Sequence, residues 1–424
     1  MKDKNPLMVI GVAILAIVLS GTFVWFNNTR TKEASTAVAS SLSPSEQTIL
    51  TLKNRIATEP NTVSLSIGLA DAYLQRIRET GDVSLYVAIE KVLDAVAINN
   101  PDNDEILAKR AEVANGRHDF KKGYEFITEA LVKNGNKAGY YGIKSDSEIE
   151  LGKYDDALAT LQKMVDIKPN FSSFSRVAYQ RELHGDSEGA LEALAAAISS
   201  GSVHNENVAW ALVESGKLHL RTDVNEAERD FNQALEAYPN YAPAFEGLAR
   251  VAYAQGKKDI AEQQYVAAFK TLPLAQFATV LGNFYGSKGD TTKSSQYYAL
   301  ADIAYKNSRG TNVDLEYSLF LSDHGDKQEA LSRAVSAYKA RPSILGADAY
   351  AWALFTNNRI AEAEKYSNEA LRLGENDSQI VFHAGMIAEA LGKKDVTLAY
   401  FKQAHELDQY ASVYYSSILA TKLK

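Results

Sequence analysis

The feature that constrains this chain most is a period of about 34 residues that runs through most of its 424 positions. Pro101, Pro169, Pro239, Pro273 and Pro342 are separated by 68, 70, 34 and 69 residues. Each follows an apolar, alanine-rich stretch that a proline ends as a helix. Predicted turns keep the same step, at Gly152, Gly185, Thr222, Gly256, Gly289, Gly325, Asn358 and Gly392. Glycine or asparagine suits a left-handed cap between two helices. Five positions after each turn stands Ala157, Ala190, Ala227, Ala261, Ser294, Ala330, Ala363 or Thr397, and twelve after stands Met164 followed by seven alanines. Seven before each comes Ser145, Ala178, Ser215, Ala249, Gly282, Ser318, Ala351 or Gly385. Small residues at fixed offsets mark close approaches of helix backbones. Nine after the turn a bulky group fills the space between helices: Leu161, Leu194, Phe231, Tyr265, Tyr298 or Phe401, with Ala334 and Ser367 as departures. A length that suggests two or three domains of roughly 150 residues therefore reads as one array.

This pattern is similar to the tetratricopeptide repeat, a helix–turn–helix unit of about 34 residues. Its clearest unit is APAFEGLARVAYAQGKKDIAEQQYVAAFKTLP, Ala242 to Pro273, and another is GKYDDALATLQKMVDIKP, Gly152 to Pro169. Weaker units extend towards the N-terminus through Leu107, Ala111 and Ala130, then Ala88, Val92 and Ala95, with a last remnant at Thr48–Glu59. The resemblance implies an all-α fold, a right-handed superhelical solenoid of about ten helix pairs preceded by one transmembrane helix. The expected organisation is a short flank 1–5, the span 6–26, a flexible tether 27–46, degenerate repeats 47–137, the main array 138–408 and a capping helix 409–424 over the last unit's exposed face. The stretch Asp302–Thr311 is the expected irregularity. The segments LEYSLFLSDHGDKQEAL, ADAYAWALFTNNRIAEAEKYSNEALRLG and FHAGMIAEALGKKD also resemble the C-terminal part of a group of bacterial tetratricopeptide proteins.

The span PLMVIGVAILAIVLSGTFVWF, Pro6 to Phe26, holds 21 residues without a charge. At 1.5 Å per residue that covers roughly 30 Å of hydrocarbon, enough for one membrane crossing. Trp25 and Phe26 sit where aromatic rings favour the interface. The competing reading is a cleaved signal peptide and a secreted product, with Ala37-Val38-Ala39 as the small-x-small site. The long polar stretch Asn27–Glu33 before it and the length of the apolar run favour an uncleaved anchor. Lys2 and Lys4 are balanced by Arg30 and Lys32, so only the terminal amine tips the N-terminus towards the cytoplasm and the body outward.

The net charge of −8 divides into +3 over residues 1–32 and −11 over the rest, which makes nucleic acid a poor partner for the body. The chain has no cysteine, excluding disulfides, thiolate metal sites and a cysteine nucleophile. It holds no phosphate-binding glycine loop, no GxSxG and no HExxH. Asp102-Asn103-Asp104 starts like a calcium loop but lacks its glycine and distal glutamate, and reads as a helix N-cap. His118, His184 and His324 fall near predicted turns, where polar exposed residues are expected. No enzyme activity, metal or cofactor is therefore expected.

A stacked solenoid offers a concave surface built from the first helix of each pair. In the repeat fold that the resemblance implies, this groove holds Tyr179, then Glu246, Arg250 and Tyr253, then Asn283, then Asp348, Trp352 and Phe355, and finally Phe382 and Met386. Trp352, Phe355, Phe382 and Met386 form an apolar group suited to anchoring a partner segment. The alternative is that these side chains pack between neighbouring repeats. Family members that bind acidic chaperone tails use a lysine and asparagine clamp. Here the corresponding positions hold Ala108 and Glu112, Gly142 and Asp146, or Glu246 and Arg250. The expected function is a non-catalytic, membrane-tethered scaffold for a protein or peptide partner at the membrane. The alternatives are a cell-envelope enzyme or its substrate-binding subunit, acting on carbohydrate or peptide, and a self-assembling homo-oligomer.

Overall fold

The computed structural model of the protein describes residues 42–424 apart from 203–204, 309–310, 375–376 and 409–411. The expected flank 1–5, the span 6–26, the cleavage site near Ala39 and the tether up to residue 41 lie outside the described residues. Among those described there are 22 helices and no strand, and no helix is long and apolar enough to cross a membrane.

Helix α1 (Pro44–Thr58) opens the body behind a capping box in which Ser43 and Glu46 satisfy each other's backbone N–H. The helical body thus begins three residues inside the stretch read as tether. Ten antiparallel pairs follow. They are α2 (Val63–Thr80) with α3 (Leu85–Ala97), α4 (Asp104–Gly116) with α5 (Phe120–Lys133), α6 (Ala138–Glu150) with α7 (Tyr154–Ile167), and α8 (Phe171–Leu183) with α9 (Ser187–Ser200). Next come α10 (Glu206–His219) with α11 (Val224–Ala237), α12 (Ala242–Ala254) with α13 (Lys258–Thr271), and α14 (Ala275–Ser287) with α15 (Thr291–Asn307). The last three are α16 (Asp314–His324) with α17 (Lys327–Ala340), α18 (Ile344–Thr356) with α19 (Ile360–Ala370), and α20 (Ser378–Ala390) with α21 (Lys394–Asp408). A single helix, α22 (Val413–Lys422), ends the chain.

The small and bulky positions meet as their spacing implies. Phe231 is fully buried, and a Cβ added to Gly216 or Gly247 on the neighbouring first helices would lie 2.7 or 2.3 Å from its ring. Gly282 stands in the same relation to Tyr298, and Gly385 to Phe401. Six of the eight predicted turn positions have positive φ: Gly152, Gly185, Gly256, Gly289, Asn358 and Gly392. Thr222 is not among them, and Gly325 is extended at φ −132. His118, 34 residues before Gly152, takes the left-handed turn at φ 59 and was not in the predicted series. Asn103 caps α4 by accepting from the backbone N–H of Glu105 and Ile106, so the aspartate-rich stretch is a helix start. Asp302–Asn307, expected as linker, is an extension of the 17-residue α15. Packing between α15 and α16 is correspondingly thin.

The array coils until its turns touch. The A-to-B turns of early pairs meet the B-to-A loops of later ones. Asn312 N–H donates to the Arg117 carbonyl at 2.9 Å, and His118 Nδ1 lies 2.8 Å from the Asn312 carbonyl. The Tyr154 hydroxyl accepts from Ile344 N–H at 2.8 Å. Arg341 reaches Glu150 at 2.9 Å while also pairing with Glu316 at 3.1 Å. Nearest-neighbour stacking supplies most of a solenoid's stability. Here contacts between residues some 190 positions apart join the turns of early and late pairs as well.

Candidate partner-binding groove

Successive first helices pack on one another, and the C-terminal helix lies across four of them. Helix α22 packs on α14, α20 and α21, and its tyrosines reach α16 and α18. It does not simply cover the end of the last pair, as its position in the sequence implies. Ser412 caps it by accepting from Tyr415 N–H. Val413, Tyr415 and Leu419 are buried, while Ser417, Ala420 and Thr421 face outward.

Under α22 sits a largely buried polar chain. Trp352 Nε1–H donates to Asp323 Oδ1 at 2.9 Å, and the Tyr415 hydroxyl donates to Asp323 Oδ2 at 2.6 Å. The Tyr415 oxygen also lies 3.1 Å from His383 Nε2. On the other side of the ring, His383 Nδ1–H meets Asp348 at 2.9 Å, the proton being on nitrogen because a carboxylate only accepts. His383 is fully buried and stacks on Trp352 with ring centres 4.0 Å apart. Burial raises the Asp323 carboxyl above its ordinary range, opposed by the Tyr415 hydroxyl bond and by His383. Burial likewise pushes the Tyr415 phenol well up, reinforced by the Asp323 charge. His324, expected to be exposed at a turn, is instead held between Tyr298, stacked at 4.0 Å, and Tyr414, edge-on at 4.9 Å. Burial lowers it to about 4.

The structure brings five of the sequence-derived groove residues together here. Asp348, Trp352 and Phe382 are buried, while Phe355 and Met386 are partly buried against the same cluster, which includes Tyr415 and Leu419. Trp352 and Phe355 stack with centres 4.9 Å apart. The remaining five lie elsewhere. Tyr253 packs edge-on to Phe284 at 6.3 Å, and the neighbouring Asn283 accepts from the Tyr298 hydroxyl at 2.8 Å. On α12 with Tyr253, Glu246 is half-buried and Arg250 is buried. Tyr179 packs beside Ile149, Tyr154 and Ile344, at the closure of the coil. Sequence spacing missed Asp323, His324, His383 and Tyr415. The available signal was the i, i+4 apolar pattern Tyr414/Ile418 and Tyr415/Leu419 in the last segment.

A second concavity, of about 870 Å³, opens where the α4–α5 turn faces the α15–α16 connection. Its charges are already engaged: Arg110 with Asp94 at 2.7 Å, Arg333 with Asp314 at 2.8 Å, and Arg117 with Glu90. Among the described residues no group of three His, Asp or Glu side chains is placed to hold a metal ion.

Comparison with known proteins gives one family match, the tetratricopeptide repeat, over residues 221–273. No curated protein matches the chain. Among solved structures, PilW, a type IV pilus biogenesis factor, is 16% identical with TM-score 0.41, covering 49% of this chain and 96% of its own. The anaphase-promoting complex hetero-tetramer Cut9–Hcn1 is 14% identical with TM-score 0.36, covering 93% and 99%. The human IFIT1 dimer with PPP-AAAA is 14% identical with TM-score 0.47, covering 88% of each chain. With TM-scores below 0.5, these likenesses carry no inference about partners. The family match falls on α11, α12 and α13, and the same small and bulky positions recur in the pairs on either side. Residues 221–273 thus match the tetratricopeptide repeat, within an array of helix pairs built alike.

Proposed function

We propose that the protein is a non-catalytic scaffold, tethered to a membrane by residues 6–26, that holds a protein or peptide partner in its concave groove. The observation that carries this reading is the groove's own content: an amphipathic helix already lies across its first helices, burying aromatic and aliphatic side chains. A surface that orders one helix has the shape and chemistry to take another, the helix-in-groove mode of recognition. On this reading the groove extends beyond α22 to α12, which carries Glu246 and Tyr253, so a longer partner has further wall to contact. Tethering raises the effective concentration of a partner confined to the same bilayer. The 21 uncharged residues of the span support that tether, with the body outside the cytoplasm.

A photoactivatable residue placed at Tyr253, which the proposed groove includes, is expected to cross-link a discrete protein in intact cells. The same residue at Val132, 84% exposed on α5, is expected not to. Cross-linking from Val132 alone overturns the groove reading. Alkaline carbonate extraction tests the tether. The full chain is expected to stay with membranes and a chain beginning at residue 42 to be released; release of both removes the anchor from the account.

A further inference from the structure

We propose that α22 is the groove's resident ligand, and that the partner is an amphipathic helix carrying a tyrosine and, four residues later, a leucine, its hydroxyl replacing that of Tyr415 between Asp323 and His383. This rests on the scaffold reading above and specifies what that groove accepts. Three observations carry it. First, α22 has only ten residues, too short to hold helical structure in water by itself. Its order therefore comes from the seat, and a competing helix can displace it without unfolding the array. Second, the seat is chemically selective. Asp323 and His383 converge on one hydroxyl at 2.6 and 3.1 Å. An apolar occupant leaves a partly buried carboxylate oxygen and a fully buried ring nitrogen without that partner, at a cost exceeding that of an ordinary lost hydrogen bond. Third, orientation is fixed at the far end, where Lys422 pairs with Glu389. Phenol, leucine and a terminal cation along one helix face thus define the ligand.

The test uses a fluorescein-labelled peptide of residues 409–424 and the full chain. In the variant Tyr415→Ala with Leu419→Ala the resident helix is unseated, and the peptide is expected to bind at least roughly tenfold more tightly than to the wild type. The peptide bearing Tyr415→Phe is expected to bind roughly 10- to 100-fold more weakly than the native peptide. Equal binding to both chains, or no loss with the phenylalanine peptide, overturns the inference. The absence of native cysteine allows a second arm that does not depend on unseating. Gln379 and Ser416 border the same small cleft between α20 and α22, and Gln379→Cys with Ser416→Cys is expected to form a disulfide that locks α22 in place. The oxidised chain is expected to bind no peptide and to regain binding on reduction; failure of the disulfide to form overturns the seat. A dimer that disappears in the unseated variant would assign the seat to the α22 of a second copy, against an intramolecular ligand. A partner cross-linked through Tyr253 equally in oxidised and reduced chains contradicts this inference and leaves the scaffold reading standing. Peptide exchange as expected with no partner at Tyr253 does the reverse.

Discussion

Arg341 is the side chain on which closure of the coil depends most visibly, and replacing it gives a prediction with a calculable size. Its side chain is 7% exposed. It bonds Glu150, 15% exposed, and Glu316, 38% exposed, and its guanidinium lies 5.2 Å from the Phe120 ring centre. Arg341→Ala strands Glu150 without a cation inside the contact between turns. Breaking a buried pair from one side costs about 3–5 kcal/mol. The half-exposed Glu316 adds less than about 1 kcal/mol, because water screens it. Partial hydration of Glu150 once the turns separate lowers the sum, so we expect a loss of about 3 kcal/mol in urea unfolding. Arg341→Lys keeps the charge without the planar fork and is expected to lose about half as much. Adding Glu150→Gln to Arg341→Ala removes the stranded charge and is expected to recover more than half of the loss. Small-angle scattering is expected to report a larger radius of gyration for Arg341→Ala, because α6 and α7 are freed from the start of α18. A loss below about 1 kcal/mol with unchanged scattering would refute the argument that these contacts close the coil.

Other consequences follow from single positions. Gly247→Ala places a Cβ 2.3 Å from the Phe231 ring and is expected to cost about 1–3 kcal/mol by overpacking. Gly256→Ala, with open space around it but φ +74, is expected to cost about 1 kcal/mol through its backbone alone; urea midpoints compare the two. His324, held near 4 by burial, binds its proton more readily in the unfolded chain, where its ordinary value is about 6.5. Its contribution is therefore complete above about pH 6.5 and lost as pH falls through 4. His324→Gln is expected to flatten the stability profile in that window, and an unchanged slope would show that His324 is not buried between Tyr298 and Tyr414.

The repeat was legible because it is local. A small residue at turn plus five or plus twelve and a bulky one at turn plus nine are consequences of two adjacent helices packing, and Ala157, Phe231 and Ala268 declare them within one period. The turn series failed where another group could do glycine's work. His118 holds a positive φ while its ring stacks on Phe120 at 5.7 Å, whereas Gly325 sits in extended backbone that any residue can adopt. Contacts that depend on the accumulated rotation of many pairs left no trace in spacing. Glu150 and Arg341, 191 residues apart, meet only because the coil has a particular pitch. The groove was half legible for the same reason. Trp352 and Phe382 follow from the first-helix offset, while Asp323 and His383 lie off it and acquire their role from a helix supplied by the chain's end. That end carries its amphipathic pattern openly, but pattern alone does not say which surface it covers.

Amide hydrogen exchange on the full chain, alone and with the protein cross-linked through Tyr253, tests the central claim most directly. The α22 amides are expected to be protected in the free chain and to lose that protection when the partner binds, while α14, α16, α18 and α20 keep or gain theirs. Rapid exchange of α22 in the free chain, or unchanged protection of α22 with the partner bound, would contradict it.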